Sequence, residues 1–167
     1  SIAQPLVLER HNTQGITEVM IYLRDRDYLF ADITYCLEQQ NVTIVNAYIV
    51  PTQREYTISG YTFLESDGTT IAKHERIEEI LEALRQALVP KTSAPSYRIH
   101  RHIPRQLKYF PVPTRLNFKH DGVNNRTELE VITTDRPGLL SSIAQAFAIC
   151  QVRVKKAKIA TLGSRVE

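Results

Sequence analysis

Thr17-Glu18-Val19-Met20-Ile21, followed by Asp25-Arg26, recurs 110 residues later as Thr127-Glu128-Leu129-Glu130-Val131, followed by Asp135-Arg136. Leu29, Ile33, Val42, Ala47 and Ile49 recur at the same offset as Leu139, Ile143, Val152, Ala157 and Ile159. The register runs ungapped through a strand-like stretch, a polar turn, a helical stretch and a second strand-like stretch, which identifies a duplicated module. Duplicated modules create an interface between copies, and small ligands favour such interfaces.

Working outward, Val19, Ile21 and Leu23 alternate on one face of a strand over 17–23. Leu29, Ile33, Cys36 and Leu37 have helical spacing, which predicts an amphipathic helix over 28–40 with Asp25 near its start. Residues 42–52 are β-branched and extended, 56–65 form another strand, and the short link 53–55 makes the pair a hairpin. Ile77, Ile80, Leu81, Leu84 and Leu88 predict a second helix over about 74–89. Leu6-Val7-Leu8 can add an edge strand. The fold class is α+β, with two ferredoxin-like βαββαβ modules, the second incomplete. The expected organisation is a leader (1–16), a first module (17–89 with 114–121 as its last strand), a connector (90–113) and a second module (127–167). Two strands and a helix cannot bury a full apolar face. The expectation is therefore a piece of a longer chain, or completion by another chain.

The 167 residues are 43% hydrophobic and 23% charged, ordinary for a globular protein. No apolar run reaches the length of a bilayer-crossing helix and no signal-peptide pattern opens the chain, so a cytoplasmic location is expected. Cys36 and Cys150 fall in helical patterns and read as reduced thiols. Net charge is +3, but Lys91 through His120 holds seven Lys or Arg and no Asp or Glu, leaving the remainder net acidic. Five of the eight prolines lie at 90–113, and the block reads as a solvated connector.

The chemistry concentrates in Asp135-Arg136-Pro137-Gly138-Leu139-Leu140, between the second copy's first strand and its helix. Asp135 is placed to accept first-turn amides, Pro137 suits a first helical position, and Gly138 has no Cβ to block approach to backbone amides. Such a helix start favours a carboxylate. His120-Asp121, His100-x-His102 and Gly163-Ser164 lack the partners that metal or nucleotidyl chemistry requires. No catalytic motif is evident, and whether the chain is an enzyme stays open. Gly60-Tyr61-x-Phe63-Leu64 and Ile21-Tyr22-Leu23 partly match RNA-recognition aromatics, so an RRM-like RNA-binding module is the alternative, with a ligand-free dimerisation module as a third reading. Nucleic acid is not the expected partner, since Ile132 replaces Tyr22 in the second copy.

The Asp-Arg-Pro-Gly-Leu-Leu turn, its helix, and Val152-Arg153-Val154 leading to Ala157-Lys158-Ile159-Ala160-Thr161 resemble the ACT domain, an amino-acid-binding regulatory module. Gly15-Ile16-Thr17-Glu18, Leu29-Phe30-Ala31, the stretch from His102 to Phe110 and the ending Thr161 to Glu167 resemble, more narrowly, the tandem C-terminal region of the bifunctional uridylyltransferase/uridylyl-removing enzymes, over nearly the whole chain. The resemblance implies a glutamine-sensing regulatory region in nitrogen regulation. Its parent would be a nucleotidyltransferase that adds UMP to the PII signalling protein and a hydrolase that removes it, with Mg2+ expected in the parent and no cofactor in this fragment. The implied partners are glutamine, PII through the parent, and the parent's own catalytic domains. The effector loop would be Asp135, Pro137, Gly138, Leu139 and Leu140, facing Asn46, Ala47 and Tyr48 of the first copy. Asp25, Asp27, Tyr28 and Leu29 would form a weaker second site, because the Tyr28 ring occupies the place that Gly138 leaves open.

Overall fold

The structure, a computed structural model, describes residues 5–11, 14–90 and 113–167. Its strands are β1 (Leu6–His11), β2 (Thr17–Arg24), β3 (Val42–Pro51), β4 (Tyr56–Glu65), β5 (Arg115–Asp121), β6 (Arg126–Thr134), β7 (Ala157–Leu162) and β8 (Arg165–Val166). Its helices are α1 (Leu29–Gln39), α2 (His74–Ala87) and α3 (Leu139–Ile149). All eight strands join one antiparallel sheet in the order β1-β2-β4-β3-β7-β8-β6-β5. This α+β architecture is consistent with two ferredoxin-like ACT modules. The basic connector expected over 90–113 lies almost wholly outside the described residues.

Strand alternation sets the first copy's core. Val19, Ile21, Leu23, Tyr61 and Phe63 point toward α1 and α2, where Ile33, Leu37, Ile80 and Leu84 meet them, all buried. Tyr61 and Phe63 are 1% and 0% exposed, so the third-strand aromatics of the RNA-binding reading are core residues; Tyr22 is exposed and stacks on Tyr56 of the neighbouring strand. Burial pushes the Tyr61 hydroxyl well above its ordinary pKa. On the sheet's other face the Tyr48 ring lies over Gly60, directly opposite in the β3–β4 register. The space left by the absent Gly60 side chain is thus filled from across the strands.

One assignment needs correction. The strand expected to close the first module, 114–121, pairs along its whole length with β6. The outer edge of β2 is taken by β1 instead. The sheet order explains this: β1-β2-β4-β3 is mirrored by β5-β6-β8-β7. Each copy therefore begins with a hairpin (β1–β2 or β5–β6), and β5 is the second copy's counterpart of β1. β8 holds the place of β4, between β6 and β7.

The copies join through β3 and β7. Ala47 pairs with Ile159 and Ile49 with Ala157, while Tyr48 pairs with Lys158, its own image at the 110-residue offset. A strand pair whose register maps onto itself when the two copies are exchanged has two-fold symmetry. That axis passes beside Tyr48 and Lys158, and α1 packs against α3 across it.

Candidate functional site at the seam between the copies

Two cavities flank the α1–α3 contact, and the pseudo-two-fold axis relates them. The second copy's loop, Asp135 through Ser141, faces Thr34 and Glu38 of α1 and Val42, Thr43 and Ile44 of β3 across a cavity of about 430 Å3. The first copy's loop, Asp25 through Ala31, faces Ala144 and Ala148 of α3 and residues 152–154 across a cavity of about 300 Å3. Residues 34, 38, 42, 43 and 44 are the images of 144, 148, 152, 153 and 154. Each cavity thus takes a loop from one copy and a helix with the chain that follows it from the other. Both volumes suit a small ligand.

The loops share a backbone path. Gly138 precedes α3 at φ +72° and Tyr28 precedes α1 at φ +63°. Gly138 takes this left-handed conformation without cost, whereas Tyr28 is strained in it. Ser142 N–H donates to Gly138 O (2.9 Å) and Asp32 N–H to Tyr28 O (2.8 Å). Leu139 N–H reaches Arg136 O at 3.1 Å, so the helix start is a tight turn. The amides of Leu140 and Ser141 come too early in α3 for an intrahelical acceptor. They line the larger cavity.

Two roles expected from the sequence are corrected. Pro137 lies in the turn ahead of α3 rather than at its first position, and Asp135 makes no side-chain cap. The helix start falls further along the chain because the left-handed residue delays it. The Asp135 carboxyl instead accepts the Arg136 backbone N–H, while burial holds its pKa above the ordinary carboxylate range.

Asp135, Pro137, Gly138, Leu139 and Leu140 all line the larger cavity. Asn46, Ala47 and Tyr48 do not; they sit in the β3–β7 seam, and the opposite wall is α1 and the start of β3. Ala47 is core, and Tyr48 is held beside Glu18, which with burial raises its phenol pKa. Asp25, Asp27, Tyr28 and Leu29 all line the smaller cavity. Sequence reasoning missed Thr34, Glu38, Thr43 and Arg136, although the 110-residue offset already marks which residues are images of one another.

The cavities differ in charge. At the smaller one, Lys155 Nζ meets Asp25 Oδ2 at 2.7 Å, and Arg153 Nε lies 3.5 Å from Asp25 and 3.4 Å from Asp27, tying the loop to the other copy. The images of Arg153 and Lys155 are Thr43 and Val45, so the larger cavity has no such clasp. Among the described residues, one further group of ligand-type side chains, Glu9, His74 and Glu78, approaches within 4.8 Å; it lies away from both cavities.

Two α+β copies joined across one sheet, with a ligand-sized cavity on each side of their seam, define the class by its architecture: a duplicated α+β module. Comparison with known proteins makes this specific. The chain is 40% identical over 164 residues to the bifunctional uridylyltransferase/uridylyl-removing enzyme of Methylococcus capsulatus, and 40% and 37% identical over 168 residues to those of Stutzerimonas stutzeri and Azotobacter vinelandii. Each match covers 98% of this chain but 19% of the relative, so the chain spans about a fifth of their length. It is homologous to that portion of these enzymes, as its motifs implied. No family model and no solved structure matches it.

Proposed function

We propose that this chain is an amino-acid-sensing regulatory region of a bifunctional uridylyltransferase/uridylyl-removing enzyme, with glutamine as the effector. The observation that carries the reading is the larger cavity, where the Asp135–Leu140 turn of one copy faces α1 of the other. The α-carboxylate meets the amides of Leu140 and Ser141 at the positive end of α3, which favours an anion. Gly138 leaves those amides open. A ligand spanning both copies stabilises the arrangement in which they are docked, and regulation needs only that this arrangement differ in activity from another. In a parent enzyme that adds UMP to PII and removes it, the glutamine-bound arrangement favours removal.

Calorimetry with L-glutamine on the 167-residue chain tests the reading. Saturable binding is expected, abolished by Gly138→Val, which puts bulk and backbone strain at the helix start. A parent chain that takes up no heat with glutamine, while the same sample is folded by circular dichroism, refutes it.

A further inference from the structure

The pseudo-symmetry allows each cavity to be read against its mate. In the first copy, Arg26 Nη1 is held by Asp32 Oδ2 at 2.8 Å, with the carboxylate buried. The image of Asp32 is Ser142, whose Oγ donates to Gly138 O at 2.9 Å. Arg136, the image of Arg26, therefore has no carboxylate on its own helix, and among the described residues no ion pair engages it. Its guanidinium is exposed at the wall of the larger cavity.

A second exchange faces it. Glu38 of α1 is 7% exposed and is the sole ionisable side chain that the first copy contributes to the larger cavity. Its image in the smaller cavity is Ala148. One cavity thus presents an acid from one copy and an uncommitted guanidinium from the other. Its mate presents a methyl group and a guanidinium already paired.

We propose that Glu38 and Arg136 are the specificity-determining pair of the larger cavity, Glu38 receiving an α-ammonium and Arg136 an α-carboxylate, so that the site selects zwitterionic α-amino acids. This rests on the larger cavity being an amino-acid site, and adds which groups on the ligand are read and by which residues. A guanidinium suits a carboxylate because its fork of N–H donors matches the two oxygens. A carboxylate buried at a cavity wall suits an ammonium because its charge is little screened there. In the smaller cavity the carboxylates of Asp25 and Asp27 and the guanidinium groups of Arg26 and Arg153 are already engaged in ion pairs, so it discriminates poorly.

The test uses three probes on the 167-residue chain: L-glutamine, glutaramic acid (glutamine without the α-amino group) and 4-aminobutanamide (glutamine without the α-carboxylate). In the parent chain each analogue binds at least about tenfold more weakly than glutamine, a step of roughly 1.4 kcal/mol. Glu38→Gln removes the penalty for losing the amine, so glutamine and glutaramic acid converge. Arg136→Gln reduces the penalty for losing the carboxylate to the share that the Leu140 and Ser141 amides still contribute, so the gap between glutamine and 4-aminobutanamide narrows at least about threefold. Arg136 is at the surface, so its variant stays folded, and unchanged urea midpoints check both proteins. If glutamine binds the parent and Gly138→Val abolishes it, but neither polar variant changes the analogue ratios, the pair is not the determinant and the site reading stands. If glutamine binds no parent chain, the site reading falls and the pair with it.

Discussion

Replacing Asp32 with serine gives the first copy the residue that the second already has at 142, and it should be costly. The Asp32 side chain is 2% exposed and Arg26 24%. Arg26 Nε and Nη2 are buried with no hydrogen-bond partner, and Nη1 donates to Asp27 O at 3.1 Å, so the 2.8 Å contact from Nη1 to Asp32 is the one that meets this guanidinium with an opposite charge. Removing one partner of a fully buried pair costs about 3–5 kcal/mol. A quarter of the Arg26 side chain reaches solvent and can swing further out, which lowers the figure to about 2–3 kcal/mol. For a chain of this size each kcal/mol moves the melting temperature by about 2–4 °C, so the variant should melt roughly 4–12 °C lower. Urea unfolding at pH 7 measures the loss directly, provided the slope is unchanged. The double variant Arg26→Met/Asp32→Leu should recover most of it, since an apolar pair leaves no stranded charge. A loss below about 0.5 kcal/mol for Asp32→Ser, or a double variant no better than the single one, would refute the argument.

Two other expectations follow from single contacts. In Gly60→Ala the new Cβ lies within 2.6 Å of Tyr48 Oη and overlaps the ring carbons beside it, so the ring must leave the sheet; a loss of about 1–3 kcal/mol in urea is expected, mostly relieved by adding Tyr48→Ser. Asp135 has a raised pKa in the folded chain, so it binds its proton more tightly folded than unfolded; its stabilisation is complete below the unfolded pKa and is lost as pH rises through the folded one. Asp135→Asn should therefore be more stable than the parent at pH 7, with the difference shrinking toward acid, as urea midpoints across pH 3–7 will show.

The repeat and its helical spacings were legible because they are local. α1 and α2 fall at Leu29–Gln39 and His74–Ala87, within the expected ranges, and β2, β3 and β4 lie where alternation put them. Strand pairing is not local, and there the sequence misled. Residues 114–121 have the composition of any exposed strand, and nothing in them distinguishes β6 from β2 as a partner. Thr17 pairs with His11 whereas its image Thr127 pairs with His120, so the link in the second hairpin is one residue longer, which hides the kinship of β1 and β5 from an ungapped comparison. The wall opposite the effector loop was misplaced for a similar reason. β3 carries a bulge between Ile44 and Asn46, so the residues before it and after it do not follow one alternation. The chain ahead of the bulge lines the cavity, and the chain after it forms the seam.

The two-fold seam also constrains how such a module can respond. If the copies were identical, the two cavities would be identical, and a ligand would fill both or neither at a given concentration. Divergence at a few positions breaks that equivalence: Ser142 for Asp32, Ala148 for Glu38, Gly138 for Tyr28, and the Asp25–Lys155 clasp at one mouth alone. Ion pairs that reach solvent contribute at most about 1 kcal/mol each, so the clasp holds the seam only weakly on its own. A ligand present at 100 times its dissociation constant stabilises the docked copies by about 2.7 kcal/mol, provided it binds only when both walls are in place. That is comparable to the most that the clasp's three solvent-reaching pairs could contribute together. The second copy also leans on the seam for its order, because α3 and β7 place Ala144, Phe147, Ala157 and Ile159 on the first copy's core. A small molecule seated between the loop of one copy and α1 of the other therefore acts on the same contacts that hold the second copy in position.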